Sequence, residues 1–306
     1  MSPLKIFVSG ATGAQGGGVV RAALSKGWLI NAIVRDTTSA ASGKLKAQGA
    51  NLFPGDWDDL TALETAMAGC TAAFVNVLPS FTDAGAEQRH AQNIFNVAKK
   101  CGVRHVIYSS VAGIDHYGTL FNPDPESFMG NYWRSKSANE KTLTTSGWET
   151  WTLLRGAVFM NTFLLPGAGF TYPELASEGK MVTALLPESK QMLVNPEDIG
   201  SFAVAAFADP QRFHGKKIEI GAEAFTTQEI ASCIEKVSGK TVGVHFRTDE
   251  EIEAQKAHPL IASELMMRNP IWSGVEGVEA WGLPLTSFEE YLTQNKDLVL
   301  KSVGPA

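Results

Sequence analysis

Tyr132-Trp133-Arg134-Ser135-Lys136 sets a phenol and an ammonium four residues apart. On a helix that spacing places both side chains on one face. A lysine so placed can lower the tyrosine pKa from its usual value of about 10 and hold a ribose diol. The phenol then becomes a general acid, able to protonate a carbonyl oxygen as a hydride arrives. Upstream lies Ser109-Ser110, and either serine could donate to the same oxygen. A plain strand-end turn accounts for each serine equally well.

A second constellation opens the chain: Gly10-Ala11-Thr12-Gly13-Ala14-Gln15-Gly16, directly after an apolar run. This G-x-x-G-x-x-G is a spacing variant of the dinucleotide fingerprint. It needs a tight turn at Gly10, close backbone approach to a pyrophosphate at Gly13, and close helix–strand packing at Gly16. The helix that follows offers unpaired N–H groups to phosphates, with Thr12, Ala14 and Gln15 around them. The second strand ends Val34-Arg35-Asp36, followed by Thr37, Thr38 and Ser39. Arg35 can stack on adenine and pair with a 2′-phosphate, and the three hydroxyls could complete an anion cradle. This favours NADP(H) over NAD(H). Asp36 could instead serve a ribose or repel a phosphate, and Arg35 could be an ordinary solvated charge. Asp56 and Trp57, at the end of the third strand, are placed to meet the adenine, although Asp56 could simply cap the next helix. Asn76, ending the fourth strand, marks where backbone approaches the middle of the cofactor.

Short β-type runs and helix-length stretches must position these residues. Strands are expected at Leu4–Ser9, Leu29–Val34, Asn51–Phe53, Ala72–Val77, His105–Tyr108 and Thr150–Leu154. The intervening helices are expected at Ala14–Lys26, Ala41–Gln48, Asp58–Ala68, Glu87–Lys100 and near Ser135–Thr145. Repeated βαβ units force parallel strands and right-handed crossovers. The fold class is therefore α/β, a Rossmann-type doubly wound parallel sheet. The reading divides the chain into a Rossmann domain, residues 1–155, and a smaller, irregular C-terminal substrate region, residues 156–306. About 191–209 of the latter is expected to pack back on the sheet. Helices over Pro196–Ala208 and Thr226–Val237, strands over Lys217–Ile220 and Thr241–Phe246, and an aperiodic tail from Trp272 to Ser287 complete the pattern.

Composition narrows the function classes. The 306 residues are 44% apolar and 19% charged, with net charge −6, a globular profile that argues against a nucleic-acid partner. No apolar run approaches the ~18 residues of a membrane span, and the opening residues carry no secretory-signal pattern. Three widely spaced cysteines, Cys70, Cys101 and Cys233, fit a reducing cytosol with neither disulfides nor a zinc site. No metal is expected, and the expected location is cytoplasmic. His116 could line a pocket or sit in an exposed loop, and the clustered Trp133, Trp148 and Trp151 are read mainly as packing.

The order of motifs resembles the NmrA-like branch of the atypical short-chain dehydrogenase/reductase superfamily. The resemblance rests on Val8 to Gly16, Arg35, Gly55-Asp56 and Tyr108-Ser109-Ser110. It extends through Leu193-Val194-Asn195-Pro196-Glu197-Asp198-Ile199-Gly200 to Gly215, Ile218-Glu219-Ile220 and Thr226-Thr227-Gln228-Glu229-Ile230. It implies NADP(H) held by the glycine loop and Arg35, with Lys136 against the cofactor and a C-terminal region closing the substrate cleft. Ala157, Val158 and Phe159 then occupy the nicotinamide-side loop, where Gly156 stands in place of the family's frequent proline. Many members lack the tyrosine, and the founding regulator is a redox sensor, so Tyr132 tilts this chain toward an enzyme. The leading expectation is an NADPH-dependent reductase of a carbonyl or conjugated carbonyl in a small hydrophobic substrate, aromatic ones included. Tyr132 is the proton donor, with Lys136 the alternative, as in isoflavone-reductase-like relatives. The second expectation is a non-catalytic NADP(H) sensor regulating a protein partner. An epimerase or dehydratase ranks third, and the family implies a monomer or homodimer.

Overall fold

The computed structural model describes residues 3–269 and 277–304. Strand and helix alternate through β1 (Lys5–Val8), α1 (Ala14–Ser25), β2 (Leu29–Val34), α2 (Ala40–Ala47), β3 (Asn51–Pro54), α3 (Leu60–Met67), β4 (Ala72–Val75) and α4 (Ala86–Lys100). Then come β5 (His105–Val111), α5 (Phe128–Thr145), β6 (Thr150–Gly156) and β7 (Val158–Phe159). Two short helices, α6 (Ala168–Thr171) and α7 (Pro173–Glu178), precede β8 (Lys180–Thr183), β9 (Lys190–Val194), α8 (Pro196–Ala208), α9 (Pro210–Phe213) and β10 (Lys216–Ile220). The chain continues with β11 (Glu223–Thr226), α10 (Thr227–Ser238), β12 (Gly243–Phe246), α11 (Asp249–Gln255), α12 (Pro259–Met267), α13 (Phe288–Gln294) and α14 (Lys296–Ser302).

Seven strands form the main sheet in the order β10-β6-β5-β4-β1-β2-β3. β1 runs parallel to β2 and β4, β2 to β3, and β4 to β5. After β3 the chain crosses to the other side of β1, so β1 and β4 flank the point where strand order reverses. In open α/β sheets a ligand crevice lies outside the carboxyl ends of such strands. The glycine loop follows β1, and Asn76 follows β4.

Two compact units share the chain by turns: Met1–Ile114, Asn131–Arg155 and Pro196–Ile218 make the first, and Asp115–Gly130, Gly156–Asn195 and Glu219–Ala306 the second. The chain changes unit after Arg155, as it does at other points, and the two units interleave. One reason is α8, which returns to lie along α1, where Gly200 admits the opposing backbone. A Cβ on Gly200 would stand 2.5 Å from the Gly18 carbonyl carbon. Of the stretch expected on the sheet, 196–208 belongs to the first unit, while Lys190–Val194 is a strand of the second.

The core of the first unit packs Phe7, Val75, Phe95, Tyr108 and Leu153, with Trp148 buried among them and Trp151 against their edge. In the second unit β9 pairs antiparallel with β11 and parallel with β7, and β8 pairs parallel with β12. Its core centres on Phe163, Leu193, Ile234 and Phe288, the two phenyl rings meeting edge to face at 5.7 Å. Capping boxes start α10 at Thr226/Glu229 and α11 at Thr248/Glu251, each satisfying two orphan N–H groups reciprocally. Residues 270–276, where the aperiodic tail was expected to begin, lie outside the described residues. No helix among the described residues is long and apolar enough to cross a membrane. Those residues hold no group of three or more His, Cys, Asp or Glu arranged for a metal ion.

Candidate active site

The glycine loop is built by contacts that leave no room for side chains. Gly10 turns the chain with φ +64°, a conformation glycine adopts without steric cost. Its carbonyl accepts from Gly13 N at 2.9 Å. A Cβ on Gly16 would stand 2.6 Å from the Gly10 carbonyl carbon and closer still to its oxygen. α1 starts at Gly13 without any side-chain cap, so its first N–H groups face outward beside exposed Thr12 and Ala14. Ser9 Oγ ties β1 to β4, accepting from Asn76 N at 2.7 Å and donating to Asn76 O at 2.9 Å. Asn76 is buried directly beside Gly10.

At the end of β2, Arg35 is exposed and has no side-chain partner among the described residues. Two of the three hydroxyls expected around it are engaged locally. Thr38 N and Oγ1 both donate to Asp36 Oδ1, at 2.7 and 2.6 Å. Ser39 Oγ caps α2, accepting from Ser42 N at 3.2 Å. Both side chains close the turn because it precedes a helix that needs a cap. The Thr38 hydrogen bonds hold the Asp36 carboxyl below its usual range. Asp56 is likewise committed locally, its Oδ1 accepting from Asp58 N and Asp59 N at 2.9 and 3.1 Å in the turn, while the cap of α3 is Asp59, whose side chain accepts from Ala62 N. Trp57 packs partly on the core and meets His90 edge-on at 5.5 Å.

α5 begins at Phe128, seven residues before the expected start at Ser135, so Tyr132 and Lys136 share one continuous helix. Gly130 and Asn131, both poor helix formers, hid this start. Further along the same helix, Asn139 donates to the Tyr108 hydroxyl at 3.0 Å. Glu140 accepts from Arg155 Nε and Nη2 at 3.0 and 2.7 Å, both side chains buried. These contacts fix α5 to β5 and β6, and with it the orientation of Tyr132 and Lys136.

Lys136 Nζ is buried 2.7 Å from Glu87 Oε1 on α4 and 3.5 Å from the Val77 carbonyl. It lies 5.5 Å from the Tyr108 ring centroid and 5.7 Å from that of Tyr132. Burial alone would lower the ammonium pKa, but Tyr108, Glu87 and Tyr132 together raise it above its ordinary value. The expected pull of Lys136 on Tyr132 is downward as anticipated, but the net direction is upward. Tyr132 is half-buried, and burial pushes the phenol up to about 12; Lys136 pulls it down and Glu87 pushes it up. Fully buried Tyr108 is also pushed up to about 12, chiefly by burial. The Y-x-x-x-K spacing is silent on Glu87, which comes from another helix, and on Tyr108, which comes from a strand. A lone carboxylate near the start of α4, on a face otherwise rich in Ala, Ile and Phe, was the available signal.

The two serines separate. Ser109 Oγ donates to Gln15 Oε1 of the glycine loop, while buried Ser110 Oγ has no hydrogen-bond partner among the described residues. Ala157, Val158 and Phe159 belong to the second unit. There Ala157 N donates to Ile220 O, and Val158–Phe159 is the strand paired with β9. His116 is half-buried in a short helical turn of the same unit.

A doubly wound sheet with a glycine turn after β1 and a phenol–ammonium helix between β5 and β6 defines a Rossmann-type α/β protein. The chain belongs to the NmrA-like family, whose model matches residues 3–291. It is 26% identical over 252 residues to an NmrA-like family domain-containing oxidoreductase of Malbranchea aurantiaca, covering 77% of this chain and 73% of that protein. Among solved structures it resembles the Citrobacter sp. triphenylmethane reductase complexed with NADP(H), at TM-score 0.75 and 21% identity, covering 95% of this chain and 99% of that one. NmrA, a negative transcriptional regulator, in complex with NADP also matches, at TM-score 0.75 and 20% identity over 96% and 95% of the two chains.

Proposed function

We propose that this protein is an NADPH-dependent reductase, acting on a carbonyl or conjugated carbonyl of a small hydrophobic molecule. The observation that carries the reading is Tyr132 on the face of α5 that also holds the buried Lys136 ammonium. The family membership and the oxidoreductase name of its Malbranchea relative support it.

The loop fits a dinucleotide. Its backbone cradle would be filled by a Cβ at Gly16, and α1 presents uncapped N–H groups, which suit a pyrophosphate. Gly10, Thr12, Gly13, Ala14, Gln15 and Gly16 would hold the pyrophosphate, Arg35 the 2′-phosphate, and Trp57 and Asn76 would flank the path between. Bound there, NADPH supplies the hydride. Tyr132 donates its phenolic proton to the substrate oxygen, and Ser110, whose hydroxyl is uncommitted, steadies that oxygen. Ser109 instead fastens Gln15. Lys136 stays an ammonium throughout and is not the acid. Ala157, Val158 and Phe159 are assigned to the nicotinamide side by family resemblance.

The test is NADPH oxidation against a panel of quinones, aldehydes and aromatic ketones, repeated with Tyr132→Phe. Turnover should fall about 10²–10⁴-fold while nucleotide affinity holds. Full turnover in the variant would remove Tyr132 from the donor role. The second reading, a non-catalytic NADP(H) sensor acting on a protein partner, draws on the likeness to NmrA. A silent panel together with tight NADP(H) binding would favour it.

A further inference from the structure

Glu87 is the second residue of α4, and its carboxylate points into the first unit, 2% exposed. Lys136 Nζ lies 2.7 Å from its Oε1 as an ion pair, and neither carboxylate oxygen has a partner in hydrogen-bond geometry among the described residues. A buried carboxylate and a buried ammonium are each costly alone and tolerable together. The N-terminus of α4 adds a modest attraction for the negative charge. The titratable groups facing this pair are Tyr132 from α5 and Tyr108 from β5, their rings 5.7 and 5.5 Å from Nζ.

We propose that Glu87 is a positioning residue: it anchors the Lys136 ammonium and cancels its charge, so that Tyr132 keeps its proton until a substrate oxygen takes it. This rests on Tyr132 as the proton donor. An ammonium standing alone beside a phenol stabilises the phenolate and discharges the acid early. Paired with Glu87 it presents no net charge, and burial then keeps the phenol protonated. In the reductive step the Tyr132 O–H bond breaks and its proton joins the substrate oxygen as the neighbouring carbon gains hydride from NADPH. Tyr132 becomes a phenolate, whose oxygen recovers a proton from solvent before the next turnover.

Tyrosinate absorbance of the full-length protein without nucleotide reads this directly. Glu87→Gln removes the balancing charge while keeping the shape. Tyr132, identified by subtracting the same titration on a Tyr132→Phe background, should ionise roughly 1–3 pH units lower than in the unsubstituted protein. The alkaline limb of the kcat profile should move the same way, whereas a packing role alone would lower kcat without moving the limb. An unshifted Tyr132 titration in folded Glu87→Gln overturns the proposal. If that variant does not fold, Lys136→Met is compared with Glu87→Gln/Lys136→Met. Tyr132 should ionise at higher pH in the single variant, where Glu87 remains as an unbalanced anion, and equal titrations overturn the proposal. Loss of the donor reading shows up separately, as full turnover in Tyr132→Phe.

Discussion

Gly16 and Gly17 are adjacent in sequence and in α1, yet alanine should act on them with opposite signs. In a helix interior, glycine to alanine gains roughly 1 kcal/mol from backbone entropy. At Gly16 the new Cβ would stand 2.6 Å from the Gly10 carbonyl carbon and 2.9 Å from Ala11 N, both backbone atoms of a constrained turn. Neither can rotate aside, so the upper end of overpacking costs applies, about 3 kcal/mol. The balance is a net loss of about 2 kcal/mol. At Gly17 the nearest atoms are Arg21 Nη1 and Nη2, at 3.2 and 3.3 Å. These are the mobile ends of a side chain in an exposed ion pair with Glu197, where a small shift costs under about 1 kcal/mol. Gly17→Ala should therefore be neutral to slightly stabilising. Urea unfolding separates the two variants, and an NADPH titration should show weakened affinity in Gly16→Ala alone, since the displaced turn is the proposed pyrophosphate cradle. Equal midpoints, with unchanged nucleotide affinity in both, would refute the packing argument.

Arg35→Ala should weaken NADPH about 10- to 100-fold and leave NADH nearly unchanged, because one charge-assisted phosphate contact is lost; comparable losses for both nucleotides would sink the 2′-phosphate assignment. Glu140→Gln should cost about 3 kcal/mol of unfolding free energy, the low end for a broken buried ion pair because the amide still accepts one hydrogen bond. An unchanged denaturation midpoint would show that Arg155 does not depend on it. Arg89 and then His90 hold the Asp58 carboxyl down at about 2. A depressed folded-state value stabilises above the unfolded carboxylate range, so this contribution should fade as pH falls from about 4 toward 2. The site is surface-exposed, so the effect should stay under about 1 kcal/mol and disappear in Asp58→Asn, as read by acid titration of thermal stability.

What spacing within one element specifies was legible in the chain. The order of strands and helices, the glycine turn after β1 and the placement of Tyr132 and Lys136 on one helical face follow from periodicity and a few residue types. The start of α5 was hidden because Gly130 and Asn131 read as loop, and α11 and α12 were missed although Thr248 and Glu251 have capping-box spacing. The side chains at the ends of β2 and β3 carried two readings for a different reason. Asp36, Thr38, Ser39 and Asp56 suit both ligands and local turns, and here they hydrogen-bond to adjacent N–H groups. Hydroxyls and carboxylates just ahead of a helix have local partners at hand.

The direction of the Tyr132 shift was out of reach for a deeper reason. Y-x-x-x-K announces a cation near a phenol, and from that alone the phenol should become more acidic. The direction of its shift follows from burial and from a carboxylate contributed by α4, well outside the motif. Lys136 lowers the phenol, Glu87 offsets the lysine, and burial decides the sign. Two proteins with the same five-residue motif can therefore hold acids of different strength, according to whether a carboxylate stands behind the lysine. In this chain the motif locates the candidate proton donor, and on the reading proposed above the buried Glu87–Lys136 pair sets the pH range over which it still has a proton to give.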